Sequence, residues 1–169
     1  NHHLGTLVGM LLAAYEMNAF KSEYQKAVLG NAKAFARSLR DQGLTVEGDP
    51  SVGHTETHQV IVRVGYGRGP WVAEQLEENN IIVNYQGAPD DEAFTTASCL
   101  RMGVQEMTRF GMKKEDLGQL AEYMGQVIVK NRPMAKEVSQ FRKKFTEMKY
   151  CLPEAEARSL VEELVGAIR

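Results

Sequence analysis

The chain opens on apolar residues at helical spacing. Leu4, Leu7, Val8, Leu11, Leu12 and Tyr15 recur at i, i+3, i+4 and i+7 and predict an amphipathic helix. The small residues Gly5, Thr6 and Gly9 oppose that stripe and would let another backbone come close. A second helix is predicted from Ser22, because Ser22 and Gln25 stand at capping-box spacing. Val28, Ala32, Phe35 and Leu39 form its buried stripe. Gly43 falls where a left-handed C-terminal cap is wanted.

From Leu44 to Gly103 the apolar period shortens from 3.6 to 2. His58 to Val64 alternates as a strand with Val60, Val62 and Val64 on one face, a phase that also turns His58 toward the core. Gly65 to Gly69 is a loop, and Pro70 suits the first turn of a helix reaching about Asn79, with Val72, Ala73 and Leu76 inward. Ile81-Ile82-Val83 has the pattern of a short strand. Gln86 to Asp91 is rich in turn residues, and Thr96 to Met102 is a strand carrying Arg101.

Beyond Gly111 the helical period returns. Leu117, Leu120, Ala121, Met124, Val127 and Ile128 share one face. Pro133 opens a further helix with Val138, Phe141, Phe145 and Met148 inward, and Pro153 opens a last one with Leu160, Val161, Leu164 and Val165. The expected fold class is α+β: a small antiparallel β-sheet of about three strands, near 58–64, 81–84 and 97–102, packed with helices.

Composition narrows the functional classes. With 43% hydrophobic and 25% charged residues, a net charge of −2 and a pI near 6.1, the chain has an ordinary globular balance. Neither nucleic acid nor a membrane is expected as a partner. Leu4 to Tyr15 is well short of the roughly 20 residues of a membrane span and lacks the flank and cleavage site of a signal peptide. Cys99 and Cys151 make neither a disulfide framework nor a zinc pair, so no metal is expected and a reducing cytoplasm is the simplest compartment. The chain begins at Asn1 and enters a helical pattern at once, which predicts a C-terminal piece of a longer polypeptide. His2 and His3 run directly into that helix.

One run carries candidate chemistry. Ser98-Cys99-Leu100-Arg101-Met102-Gly103 places an arginine near a strand end beside small residues, and Thr108-Arg109-Phe110-Gly111 follows. The guanidinium of Arg101 is planar and permanently charged, and its fork matches two carboxylate oxygens. On the hexapeptide alone, a salt bridge to an Asp or Glu of the same chain is the simpler reading. For Cys99 a small buried thiol is the commoner state than a reactive one.

This run resembles the Ser-Gly-aliphatic-Arg-aliphatic-Gly segment of the serine (glycine) hydroxymethyltransferase family. Other segments agree in order. Tyr24-Gln25 and Asn31-Ala32-Lys33-Ala34 resemble the family's Tyr-x-x-x-Val-x-x-Asn-Ala-Lys helix. Thr55-Glu56-Thr57-His58-Gln59-Val60 is similar to its Thr-Asp-Asn-His-Leu-Val strand entry, and Ile82-Val83-Asn84-Tyr85-Gln86 to its Val-Asn-Lys-Asn run. The resemblance covers residues 1 to about 130.

It implies the C-terminal domain of a fold-type I enzyme that uses pyridoxal 5′-phosphate, held mainly by a preceding N-terminal domain. It also implies tetrahydrofolate as co-substrate, an amino-acid substrate interconverted between serine and glycine, and a homodimer. Arg101 would hold the substrate carboxylate. His58, Asn84, Gln86 and Ser98 would line the active-site mouth, and His2 and His3 would lie near the dimer interface or the cofactor. Expected units are a helical segment 1–43 linking from the large domain, an α/β domain 44–130 and C-terminal helices 131–169.

Lys21, Lys26, Lys33, Lys113 and Lys114 match no Schiff-base motif, so no catalytic residue is expected in this chain. Cys99 stands where the family usually has Gly, Gln86 where it has a second Asn, and Gln105-Glu106 where it has Pro-Ala. Two other classes stay open: a threonine-type aldolase or transaldolase that does not use folate, and a non-catalytic helical interaction domain.

Overall fold

The computed structural model describes residues 3–92 and 96–168. Its first element, α1 (Leu4–Asp41), is a single helix of 38 residues. The helix start expected at Ser22 is therefore interior. Nothing between Met10 and Leu29 is a Gly or Pro, and Lys, Glu, Gln and Ala there are good helix formers that carry the helix through.

Gly43 does end the helix, at φ 85°. Its N–H donates to the Arg40 carbonyl (2.8 Å) and that of Leu44 to the Leu39 carbonyl (3.1 Å), the paired bonds of a Schellman cap. Leu39 and Leu44 are both buried beside it.

Four strands follow: β1 (Thr45–Val46), β2 (Gln59–Arg63), β3 (Asn84–Gln86) and β4 (Cys99–Gly103). All pairings are antiparallel, in the order β1-β2-β4-β3. Between β2 and β3 lies α2 (Gly69–Glu78). The strand expected at 81–84 begins only at Asn84, because Ile81 belongs to the cap of α2. Its N–H donates to the Leu76 carbonyl (2.9 Å) while Asn80 takes a left-handed φ of 62°. Ile81 and Leu76 are buried together, so the helix exit uses the residues that the apolar pattern assigns to a strand.

The chain continues through α3 (Gln105–Arg109), α4 (Lys114–Ile128), α5 (Ala135–Arg142) and α6 (Glu154–Ile168). Among the described residues, one core cluster draws on the sheet and on every helix except α6. Val60, Val62, Leu100 and Met102 project from the sheet into a cluster with Ala32, Phe35 and Leu39 of α1, Leu76 of α2, and Leu117, Ala121 and Met124 of α4. Met148 is 52% exposed rather than inward, since α5 stops at Arg142 and its register does not reach that far. Phe145 stays buried by turning back edge-on to Phe141, with centroids 5.1 Å apart. On α6, Leu160, Val161 and Leu164 are only half-buried and Val165 is exposed. The first half of α1 likewise presents Leu7, Met10, Tyr15 and Met17 to solvent.

The polar exception in this core is Asn31. Its carboxamide nitrogen donates to Thr108 Oγ1 and to the Met112 carbonyl, both at 2.9 Å, and the Thr108 hydroxyl donates to the Val104 carbonyl at 2.7 Å. Asn31 and Thr108 are 4% and 2% exposed, so these bonds are shielded from water. They tie α1 to the turn that follows β4. Asn31→Leu would leave the Met112 carbonyl without this partner, and an unmade buried bond costs about 1–3 kcal/mol. A denaturant titration should show a midpoint shift of that size at unchanged slope. A shift equivalent to less than about 0.5 kcal/mol would mean the bridge is not a structural tie.

Candidate functional site

On β4 the side chains alternate. Leu100 and Met102 enter the core, so Arg101 must point to the opposite face. Register places Arg101 between Ile61 of β2 and Asn84 of β3. It lines a cleft of about 600 Å3 whose polar lining is His58, Gln59, Asn84 and Gln105; Ile81, Ile82 and Val83 line it as well, and it reaches the core-side residues Phe35, Met102, Leu117 and Met124. Arg101 is exposed, and among the described residues its guanidinium has no ion pair and no hydrogen bond.

The neighbouring arginine behaves differently. Arg109 pairs with Glu16, and the two side chains are 28% and 15% exposed. The other oxygen of Glu16 accepts the Leu152 N–H (3.2 Å), and the Arg109 carbonyl accepts that of Lys149 (2.7 Å). This cluster fastens the segment after α5 to α1, so Arg109 is spent on structure.

The structure brings Arg101, His58 and Asn84 to one cleft. His58 is exposed, not turned to the core, although its carbonyl still accepts the Val104 N–H (3.0 Å) in continuation of the β2–β4 register. Gln86 is half-buried opposite Cys99, at the other end of β4. Ser98 is buried: its hydroxyl donates to Asp91 Oδ1 (2.5 Å) and accepts the Gly67 N–H (3.3 Å). His3 precedes α1 and gives its carbonyl to the N–H groups of Thr6 and Leu7. His2 lies outside the described residues. Ile81, Ile82, Val83, Met107 and Gln105 are cleft residues that the sequence reading does not pick out. The one local signal is Ile82, 85% exposed beside a strand.

Beyond Arg101, the same sheet face is closed by charge. Arg63, opposite Cys99, donates to Glu47 (2.6 Å) and to both oxygens of Asp90 (2.7 and 3.2 Å). The Arg63 guanidinium holds the Asp90 carboxyl below its ordinary range. Asp91 accepts the Ser98 hydroxyl and the N–H groups of Ala88 (2.7 Å) and Ser98 (3.1 Å). The Ser98 hydroxyl, then the Ala88 N–H, lower its pKa. Cys99 is fully buried here, and burial pushes its thiol up, so it is a packing residue and not a nucleophile.

The cleft's chemistry suits an anion. Its cation is unpaired, and no Asp or Glu is among its lining residues. It does not suit pyridoxal phosphate itself. No lysine lines it; among the described residues every lysine is exposed except Lys33, which is half-buried against Gly53. A carboxylate for the ring nitrogen is missing from the lining for the same reason. No step through that group follows from these residues.

A small antiparallel sheet packed with helices is the architecture of the C-terminal domain of fold-type I pyridoxal-phosphate enzymes. The solved structure of L-threonine transaldolase from Pseudomonas fluorescens, in its internal aldimine state, superposes with a TM-score of 0.78. It is 30% identical, over 91% of this chain and 36% of that one. A family model described as serine hydroxymethyltransferase matches residues 1–124, and the chain belongs to that family.

Serine hydroxymethyltransferases of Pyrobaculum aerophilum and Archaeoglobus fulgidus are each 43% identical over 89% and 93% of the chain, and that of Metallosphaera sedula is 42% identical over 90%. The chain spans 35–37% of the length of these relatives.

The Asp91 anchor is testable. A carboxyl whose pKa is lowered by folding adds stability above its unfolded value, about 3.9, and that contribution disappears as pH falls through the lower folded value. Asp91→Ala removes the anchor at any pH. Thiol labelling of Cys99 at neutral pH should then accelerate at least about tenfold, with half-buried Cys151 as the internal reference. Unchanged protection of Cys99 would show that the segment is held without Asp91.

Proposed function

We propose that this chain is the C-terminal part of a pyridoxal-phosphate-dependent hydroxymethyltransferase and that Arg101 holds the α-carboxylate of its amino-acid substrate. The observation that carries this reading is the unpaired guanidinium of Arg101 in a cleft free of lining carboxylates. A cation without a partner among the described residues is available to a ligand anion, and Arg109 nearby shows what a structural arginine looks like in this fold. The planar fork fixes two carboxylate oxygens at once and so orients the substrate, whereas a lysine would supply only a point charge. His58 and Asn84 line the same mouth. Pyridoxal phosphate, when bound, supplies the electron sink for bond cleavage at the substrate; in this proposal its lysine, its ring-nitrogen partner and most phosphate ligands belong to the remaining two thirds of the enzyme.

The domain assignment goes with this reading. The first half of α1, with exposed Leu7, Met10, Tyr15 and Met17, links from the large domain, which covers that apolar face. Residues 44–130 form the α/β domain and residues 131–169 the C-terminal helices. The complete enzyme is a homodimer, with His2 and His3 near its interface or cofactor, and works in the cytoplasm on serine and glycine.

A second reading has a specific observation behind it. Gln86 departs from the family's asparagine, and the transaldolase likeness covers most of the chain. This favours aldol chemistry on a β-hydroxy amino acid without folate. Glycine α-proton exchange by the complete enzyme, measured with and without tetrahydrofolate, separates the two: stimulation by folate supports the hydroxymethyltransferase, and indifference supports the aldolase.

Arg101→Lys in the complete enzyme should lower kcat/KM for serine by roughly a hundredfold with the cofactor still bound, the scale expected for losing a charge-assisted bidentate contact in a closed site. Normal serine kinetics in that variant would make Arg101 a surface residue. By itself the 169-residue chain should neither retain pyridoxal phosphate on dialysis nor cleave serine or threonine. Turnover by the purified piece would show that the chemistry lies within it.

A further inference from the structure

We propose that Gln105 is a second binding residue for the substrate carboxylate, a neutral donor standing beside Arg101; this rests on the reading of Arg101 given above. Arg101 and Gly103 are two apart on β4, so they share a face, with Cα atoms about 7 Å apart. Gly103 has no side chain to place there, and the space is taken by Gln105. A Cβ built on Gly103 would lie 2.3 Å from Gln105 Oε1 and 3.0 Å from its Cδ and Nε2. The carboxamide therefore lies folded back over Gly103, on the β4 face that carries Arg101, and Gln105 lines the same cleft.

Two further observations make it a poised group. Its backbone is anchored, since the Gln105 carbonyl accepts the Tyr24 hydroxyl at 2.9 Å. Its carboxamide is unspent: among the described residues that exposed side chain has no hydrogen bond. A carboxylate offers about four lone-pair sites, and a guanidinium fork uses two of them. An amide N–H can take a third without a second positive charge in the site. Hydrogen bonds to a charged acceptor are the stronger kind, so the contact should be felt at about the tenfold level in affinity.

The test uses the complete enzyme with cofactor bound. Dissociation constants are measured for serine and for ethanolamine, which lacks the carboxylate. Gln105→Glu keeps the shape and sets a negative charge against the ligand anion; it should weaken serine at least about tenfold and leave ethanolamine unchanged. Gly103→Ala should displace the carboxamide without altering it, and so reproduce the selective loss. Arg101→Lys runs in parallel. If it weakens serine while neither Gln105→Glu nor Gly103→Ala does, or if those two weaken serine and ethanolamine alike, Gln105 is not a carboxylate ligand and the reading of Arg101 stands. If Arg101→Lys leaves serine binding intact, the Arg101 reading fails and this inference with it.

Discussion

Side chains alternate along β4, and the site exists because of that alternation. Leu100 lies opposite Val62 and Met102 opposite Val60, and all four are buried. A slip of one residue would drive Arg101 into the core and bring Cys99 and Gly103 with it, so burial of Leu100 and Met102 on one face fixes which residues stand on the other. The guanidinium is held at its place not by any partner of its own but by two apolar neighbours that have nowhere else to go. An unpaired charge can be kept this way because it stays in water, where desolvation does not penalise it.

The register would be of little use on a loose sheet. α1 runs across the core side, and its second half contributes Ala32, Phe35, Ala36 and Leu39 to the cluster. The Asn31 bridge then joins that helix to the turn after β4 through Thr108 and Met112, and Tyr24 holds the Gln105 carbonyl one helical stretch earlier. Both contacts come from the Tyr-Val-Asn-Ala-Lys pattern on α1. They position the backbone immediately after Arg101, which places these motif residues behind the site and not in it. The contrast between the two arginines belongs to the same design. Arg109 faces Glu16 in a half-shielded cluster where a lone charge would be costly, and Arg101 faces a cleft.

The chain belongs to the serine hydroxymethyltransferase family and spans little more than a third of the length of its relatives. Among the described residues, exposed large apolar side chains include Leu7, Met10, Tyr15 and Met17 on the first half of α1, and Ile82 and Tyr85 beside the Arg101 strand. A core is built by the contacts a chain can make with itself, and these side chains stay outside it.

Local pattern sufficed for much of this molecule. Period 2 at 59–63 and 99–103, period 3.6 in α1, α2 and α4, and the left-handed cap at Gly43 report conformations set by near neighbours along the chain. The order of short motifs was enough to place the chain in its family. Tertiary structure alone decided the rest. It gave Ile81 to a helix cap instead of a strand, left Met148 exposed, and put Ser98 and Gln86 away from the cleft that holds Arg101, His58 and Asn84. It also chose which arginine is paired. Glu16 and Arg109 are far apart in sequence, as are Asn31 and Thr108, and Gln105 meets Gly103 only because β4 turns directly into α3. Periodicity carries no record of such partners, because each residue's own spacing is satisfied whether or not the distant group arrives.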